Sequence, residues 1–259
     1  MKKFIFLLYG LGAYLVFLVT FCYAIGFVTT LFVPKHIDSQ PQVPLGQALL
    51  INAALLALFA VQHSVMARPA FKRWWTKTVP VQIERSTYVL LASICLILVF
   101  RYWEPMGGIV WQVQSETAQT ALKAISLLGF FTVFVSTLLI NHFDLFGLRQ
   151  VWFYFTGKEY HHLAFRTPFF YKYVRHPLYL GFMIAFWAAP VMTIAHLFFA
   201  VMTTAYMLIA IQLEEHDLIK HFGSKYQEYK RVVPMLIPFT KGAKSKVAKP
   251  ERVAEEVRE

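Results

Sequence analysis

The chain has 259 residues, of which 58% are hydrophobic, 17% are aromatic and only 15% are charged. A soluble domain is closer to half apolar and a quarter charged, so this composition excludes an ordinary water-soluble protein and predicts an integral membrane protein. The net charge of +11 does not point to nucleic acid, because the basic residues lie in short segments between apolar runs. Such a distribution orients a membrane protein in its bilayer.

Six apolar segments follow one another along the chain. A helix needs about 20 apolar residues to cross the hydrocarbon core. The fifth segment is short and only a few residues separate it from the sixth, which predicts a C-terminal helical hairpin that either crosses fully or re-enters. We therefore expect an all-α polytopic bundle of five to six membrane segments. The predicted segments are 4–32, 45–66, 86–100 with its flanks, 122–140, 178–189 and 193–213.

Basic residues alternate between the two sides of this predicted bundle. The segments 67–85 and 141–177 and the region after Glu215 are rich in Lys and Arg, whereas 33–44 and 101–118 carry one such residue each. The positive-inside rule then predicts that both termini are cytoplasmic, which requires an even number of crossings. We expect a single domain over 1–240 and a charged cytoplasmic tail over 241–259. The pattern leaves the oligomeric state open.

The first chemistry-bearing motif, Arg175-His176-Pro177, directly precedes the fifth segment. Proline at the first helical position is preset for a helix start, so we expect a helix to begin near Pro177 at the cytoplasmic interface. The free N–H groups and the dipole of that helix start attract an anion, and Arg175 adds a forked cationic donor. The motif predicts a place for a ligand carboxylate, although a basic residue that only orients the span fits the pattern equally well.

The second motif is the acidic pair Glu214-Glu215 at the end of the last apolar segment. Acids at this depth are costly unless they are paired or used. Neighbouring residues on a helix differ by about a third of a turn, so we expect one acid to face a ligand and the other to face solvent or a basic partner. Further on, Tyr226 and Tyr229 share one face of a short predicted helix. The pattern fits a helix that folds back over the pocket and a plain interfacial helix equally well.

These motifs together resemble a known family. Over about 171–238 the motifs follow the order Arg-His-Pro-x-Tyr-x-Gly, apolar hairpin, Glu-Glu, Phe-Gly-x-x-Tyr-x-x-Tyr and Pro. This order resembles that of the membrane methyltransferases of the isoprenylcysteine carboxyl methyltransferase type. The segments 62–68, 84–88 and 141–150 further resemble the bacterial methanethiol S-methyltransferases and their NnrU-like relatives, which implies a bacterial inner membrane. The resemblance implies a cytoplasmic pocket for S-adenosyl-L-methionine. By this resemblance its cofactor-binding residues are Arg175, His176, Pro177, Tyr179, Gly181, Glu214, Glu215, Tyr226 and Tyr229.

The resemblance also implies methyl transfer to a small thiol, methanethiol, with dimethyl sulfide and S-adenosyl-L-homocysteine as products. A free alkyl thiol is mostly protonated at neutral pH, so the site needs a base or an anion-stabilising group. His63 and His142, near the cytoplasmic ends of the second and fourth spans, are the candidate bases. Arg149 is a candidate for orienting the substrate or the cofactor, and Tyr88, one turn into its span, is a candidate for projecting a hydroxyl into the site. The stretch 206–212 has no charge, whereas carboxyl methyltransferases carry an arginine there, which disfavours a prenyl carboxylate as the acceptor.

Other functions remain open at this point. A methyltransferase for a lipid or a prenylated thiol keeps the same chemistry with a longer acceptor. A sterol reductase has similar C-terminal helices, but this chain shows no extra basic cluster for the second phosphate of NADPH. A non-enzymatic haem-binding or transport protein would use His63 and His142. The adjacent His161 and His162 have no third ligand in the sequence pattern, so we expect no metal site.

Overall fold

The computed structural model describes residues 1–161 and 163–240. The charged tail predicted over 241–259 therefore lies outside the described residues, as does His162. The described chain is helical apart from loops, one 3-10 turn over Phe169–Lys172 and two short strands. Its helices are α1 (Lys2–Thr29), α2 (Leu45–Ala67), α3 (Pro69–Trp75), α4 (Val81–Tyr102), α5 (Glu116–Ile140), α6 (His142–Leu145), α7 (Leu148–Thr156), α8 (Pro177–Trp187), α9 (Ile194–Phe222) and α10 (Ser224–Val232).

Five of the described helices, α1, α2, α4, α5 and α9, are long and apolar enough to cross a membrane. Large apolar side chains remain exposed along these helices, among them Leu50 on α2, Phe131 on α5 and Ile209 on α9. A helix that is apolar all round and leaves such side chains uncovered is typical of a membrane span. The predicted all-α integral membrane fold is confirmed.

The hairpin of α8 and α9 reaches the far side of the bundle because an extended segment continues from α8. With 11 residues, α8 is only roughly 16 Å long, too short to cross alone. Strand β2 (Val191–Thr193) follows it and pairs antiparallel with β1 (Ile109–Gln112), which lies between α4 and α5. The turn of the hairpin therefore lies at the same side as the α4–α5 connection. This two-stranded sheet was not predicted.

Over the described residues, the basic segments lie at the opposite side, which we call the basic side. There α1, α4 and α8 begin and α2, α5 and α9 end, so the predicted alternation of charge follows the alternation of the helices. At this side α7 packs against α1 and α4 through two glycines. A Cβ on Gly10 would lie 2.6 Å from Val151, and one on Gly147 would lie 2.6 Å from the Ser86 side chain.

The tightest helix pair joins α5 and α8. A Cβ on Gly129 would lie 2.6 Å from the carbonyl oxygen of Gly181, and one on Gly181 would lie 2.7 Å from that of Gly129. Ser126 also donates a hydrogen bond to the carbonyl of Ala185 at 2.7 Å. Small residues that let two backbones approach closely are a usual means of joining helices in membranes. This contact fixes the position of α8, whose first turn carries the candidate site.

Candidate active site

Glu215 lies two turns before the end of α9 and is the most enclosed acid of the site, with its side chain 2% exposed. Its carboxylate oxygens lie 2.6 Å from Arg175 Nε, 3.0 Å from His176 Nε2 and 2.7 Å from Lys230 Nζ. A buried carboxylate is stable only when charges or hydrogen bonds of this kind compensate its lost hydration. We call these four residues the Glu215 cluster.

The backbone around this cluster holds the start of α8 against the chain that follows α10. The N–H groups of Arg175 and His176 donate to the carbonyls of Pro234 and Met235, at 2.9 and 3.2 Å. The Arg175 guanidinium also donates to the carbonyl of Val233 at 2.5 Å. Arg175, which the sequence suggested as a partner for a ligand carboxylate, is thus engaged within the protein, and its side chain is 5% exposed.

The neighbouring acid, Glu214, has a different environment. Its side chain is 43% exposed, and its carboxylate lies 3.8 Å from His176 Nδ1 and within hydrogen-bonding reach of the Tyr179 hydroxyl. The two acids diverge on the helix as expected, and the structure decides which is which: Glu215 binds the basic partners and Glu214 faces outward. Pro177 is the first residue of α8, as predicted, and no side chain caps that helix start.

Aromatic and polar side chains from three other helices converge toward Glu214. On α2, His63 lies 3.0 Å from the Tyr88 hydroxyl of α4, and its ring stacks on Phe59. Tyr88 and Tyr179 are close enough to interact electrostatically with each other, with Glu214 and with Tyr206 of α9. We call His63, Tyr88, Tyr179, Tyr206 and Glu214 the tyrosine site, and the structure brings together four residues that the sequence had named separately.

Two contacts between α2 and α9 close one wall of the tyrosine site. Ser64 Oγ lies 3.1 Å from the Tyr206 hydroxyl. Closer to the basic side, Arg68 lies 2.7 Å from Asp217 and also donates to the carbonyl of Leu213. These pairs hold two otherwise loosely packed helices together. They fix the separation of His63 and Glu214 across the site.

His142 lies outside the tyrosine site. Its Nε2 is 2.8 Å from the Tyr14 hydroxyl and its Nδ1 is 2.8 Å from Thr137 Oγ1, so both ring nitrogens are engaged. Aromatic rings surround it, with Phe146 at 4.7 Å between centroids. Burial lowers the pKa of His142 below its ordinary value. These contacts give the residue a role in joining α1, α5 and the following turn, and its predicted function as a base stays a prediction.

Arg149 belongs to a further cluster on α7. Its guanidinium lies 3.0 Å from Asp144 and stacks near Tyr160, and it donates to the carbonyl of His161. Tyr160 also donates to Asp144 at 3.0 Å. The structure therefore separates Arg149 from the His63–Tyr88 pair, and its orientation of a substrate also stays a prediction.

The remaining predicted cofactor residues have structural contacts. Gly181 faces α5, where the backbone approach leaves no space for a ligand, so its contacts give it a packing role and its cofactor role remains untested. Tyr226 is 2% exposed and packs 5.7 Å from Tyr229, whose hydroxyl donates to the carbonyl of Tyr171 at 2.6 Å. The helix α10 folds back over the hairpin as the sequence suggested. Burial raises the pKa of both tyrosines, so each keeps its phenolic proton at neutral pH.

Sequence reasoning missed four contributors to this region. Lys230 completes the Glu215 cluster, Tyr206 and Ser64 close the tyrosine site, and Asp217 anchors Arg68. Ser64 stands next to a predicted residue in the chain, and Lys230 directly follows Tyr229, so proximity in sequence was an available signal for both. Tyr206 stands in a stretch noted only for its lack of charge, and nothing in its local sequence marks it.

Comparison with known proteins identifies the family of the chain. The family model described as NnrU protein matches residues 51–225. Two proteins named methanethiol S-methyltransferase are similar over nearly their full length: that of Crocosphaera subtropica is 55% identical over 90% of this chain and 91% of its own, and that of Mycobacterium tuberculosis is 51% identical over 92% and 98%. Nurim of Bos taurus is 30% identical over 66% of this chain and 68% of its own. No solved structure matches.

The matched region runs from α2 into α10 and contains His63, Tyr88, Tyr179, Tyr206 and Glu214, that is, the whole tyrosine site. The family match covers more than half of the chain, and several relatives of high identity cover nearly all of it. The chain is therefore a member of the NnrU family of integral membrane proteins.

Proposed function

We propose that this protein is an S-adenosyl-L-methionine-dependent methyltransferase that converts methanethiol to dimethyl sulfide at the basic, cytoplasmic side of a bacterial inner membrane. The observation that carries the proposal is the convergence of a partly exposed carboxylate, Glu214, and a histidine–tyrosine pair, His63 and Tyr88, across one site between α2, α4, α8 and α9. The names of the similar bacterial proteins support the acceptor.

The chain's donor set fits the proposed methyl donor. Glu214 is an exposed acceptor suited to an ammonium group or to ribose hydroxyls, and the uncapped start of α8 suits a carboxylate. Arg175 and Glu215 would not touch the donor in this view. Their role is to fix the start of α8 next to Glu214, because both are buried and bound to each other. When bound, S-adenosyl-L-methionine supplies an electrophilic methyl group on its sulfonium.

On the acceptor side, we assign His63 to hold the thiol proton. The Tyr88 hydroxyl lies 3.0 Å from both ring nitrogens of His63 and fixes the ring at this position. In our assignment the hydroxyl bonds to one nitrogen at a time, and the other nitrogen takes the substrate proton. The surrounding rings of Phe59 and Tyr206 exclude water from a small neutral substrate. A positioned base of this type contributes about 10²–10⁴-fold to a rate. The absence of charged residues over 206–212 fits a neutral thiol better than a carboxylate.

The decisive experiment measures dimethyl sulfide by headspace gas chromatography, with full-length protein in detergent, S-adenosyl-L-methionine and methanethiol. Binding of radiolabelled donor is measured in parallel. We expect Glu214→Gln to weaken donor binding by about 10- to 100-fold, the value of a hydrogen bond to a charged group. Glu228→Gln is the matched control, because it removes a more exposed acid, 57% against 43%, whose ion pair within the described chain is with Arg231.

His63→Gln separates the two halves of the site. We expect it to bind the donor as the unmodified protein does and to lose turnover by at least 100-fold. If the His63→Gln variant formed dimethyl sulfide at the rate of the unmodified protein, His63 would not be the base. Donor binding without any dimethyl sulfide would refute methanethiol as the acceptor and direct the search to longer thiols and lipids. Absence of donor binding would refute the cofactor.

The haem alternative has less support. Bis-histidine ligation needs a free nitrogen on His63 and on His142, but both nitrogens of His142 are engaged by Tyr14 and Thr137. An absorbance band of ligated haem in the purified protein would reverse this preference.

A further inference from the structure

An open cleft of about 610 Å³ lies at the basic side, away from the tyrosine site. It separates the first turn of α4 from the chain that follows α5. Helix α3, helix α7 and the loop after α7 complete its walls. The residues that line it and carry the argument are Lys72, Glu84, Arg85, Asp144, Gln150 and Lys158.

Three cations of this cleft lack an acidic partner. Over residues 1–161 and 163–240, neither Lys72, Arg85 nor Lys158 takes part in an ion pair. The guanidinium of Arg85 makes one hydrogen bond, to the carbonyl of Leu145 at 2.7 Å. Burial lowers the pKa of Lys72, and the charge of Arg85 lowers it further, against the opposing effect of Glu84. Like charges that line one cleft attract an anion from outside.

The acids in the cleft do not neutralise these cations fully. Asp144 is paired with Arg149 at 3.0 Å, which leaves Glu84 as the acid opposite three basic groups. The cleft also holds an unused acceptor, because Gln150 Oε1 is buried and has no hydrogen-bond partner. The preferred occupant is therefore an anion that also carries a hydroxyl donor.

The rim of the cleft is apolar and continuous with the membrane spans. Val81 begins α4 and is 67% exposed, and Ile140 ends α5 and is 42% exposed. Leu163, across the cleft, is also exposed. A soluble anion gains nothing from such a rim. A lipid does, because its acyl chains run along the two spans while its headgroup occupies the cleft.

We propose that the cleft binds the headgroup of phosphatidylglycerol, with its phosphate at Lys72, Arg85 and Lys158 and a glycerol hydroxyl at Gln150. Basic pockets between membrane helices at the cytoplasmic side are known to hold anionic lipid headgroups. The site is separate from methyl transfer, since none of its lining residues belongs to the tyrosine site. Arg85 alone reaches both regions, as its guanidinium lies 4.9 Å from the Tyr88 ring. The test therefore varies the lysines.

The experiment titrates the full-length protein in neutral detergent with dioleoyl phosphatidylglycerol or dioleoyl phosphatidylcholine, and native mass spectrometry counts bound lipid. We expect Lys72→Gln combined with Lys158→Gln to weaken phosphatidylglycerol binding about thirtyfold, since each lysine near an anionic lipid contributes about fivefold. Phosphatidylcholine binding should not change. The matched control combines Arg73→Gln and Lys77→Gln, which remove the same charge from exposed positions outside the cleft.

Several results would overturn the proposal: no preference for phosphatidylglycerol in the unmodified protein, or equal losses in the cleft variant and the control. Displacement of the lipid by equimolar glycerol 3-phosphate would assign the cleft to a soluble phosphate ester instead. Lys72→Arg with Lys158→Arg should restore binding. If the glutamine pair unfolds, Lys158→Gln alone decides, because this exposed loop residue is expected to lose about fivefold without affecting the fold.

Discussion

Replacement of Glu215 by glutamine tests whether the Glu215 cluster is a scaffold or a ligand site. The change keeps the shape of the side chain and removes its charge. It leaves Arg175, 5% exposed, and Lys230 without the carboxylate that lies 2.6 and 2.7 Å from them. Removing one partner of a buried ion pair costs about 3–5 kcal/mol, because the remaining charge is uncompensated.

We expect Glu215→Gln to lower the midpoint of thermal unfolding in detergent by on the order of 10 °C, since about 1 kcal/mol corresponds to 2–4 °C for a chain of this size. The comparison is Glu214→Gln, one residue away, whose side chain is 43% exposed and has no short ion pair in the described chain. That variant should change stability by less than about 0.5 kcal/mol, as surface substitutions usually do.

Thermal unfolding and donor binding should distinguish Glu215→Gln from Glu214→Gln. Glu215→Gln should lose stability and keep donor affinity in whatever fraction remains folded, whereas Glu214→Gln should keep stability and lose affinity. The reasoning is refuted if Glu215→Gln unfolds at the unmodified temperature while its donor affinity drops. That pattern would make Glu215 the ligand-facing acid.

Three further outcomes are expected. Gly181→Ala should destabilise the protein by about 1–3 kcal/mol, because the added Cβ meets a backbone carbonyl of α5 at 2.7 Å. Gly12→Ala, whose added Cβ has nothing within 4 Å, should stabilise it by about 0.5–1 kcal/mol. Thermal unfolding distinguishes the two variants. Burial lowers the pKa of His142, so its neutral form stabilises the fold fully above about pH 6.5, and this contribution declines as the pH falls. The unfolding midpoint of His142→Gln should therefore depend less on pH than that of the unmodified protein. Tyr88→Phe, which loses its bond to His63, should lower kcat about tenfold at unchanged donor affinity; an unchanged kcat would contradict the pairing.

Much of the architecture was predictable because membrane spans are defined locally. A run of about 20 apolar residues must form a helix in a bilayer, since no water is present to satisfy its backbone. The five long spans and the position of Pro177 at a helix start followed from this constraint. The pairing of β1 with β2 did not, because two strands of three and four residues carry no periodic signal and depend on which loops lie together.

The candidate site divides in the same way. The position of the acidic pair marked Glu214, because an acid at a span end must be paired or used. The resemblance to the membrane methyltransferases indicated His63, Tyr88 and Tyr179. The sequence left open which acid faces a ligand, since adjacent residues on α9 are equivalent in pattern. The packing of α10 against α9 decided which acid is enclosed, by bringing Lys230 to Glu215. The same packing engaged Arg175 internally and left Glu214 exposed.

The sequence by itself therefore determined the class of fold, the charge asymmetry across the membrane and the types of side chain available for chemistry. These follow from composition and spacing, which act over one or two turns of helix. The tertiary structure alone decided which of those side chains meet. Contacts such as that between Ser64 and Tyr206 join residues 142 positions apart, and their geometry depends on how closely whole helices approach.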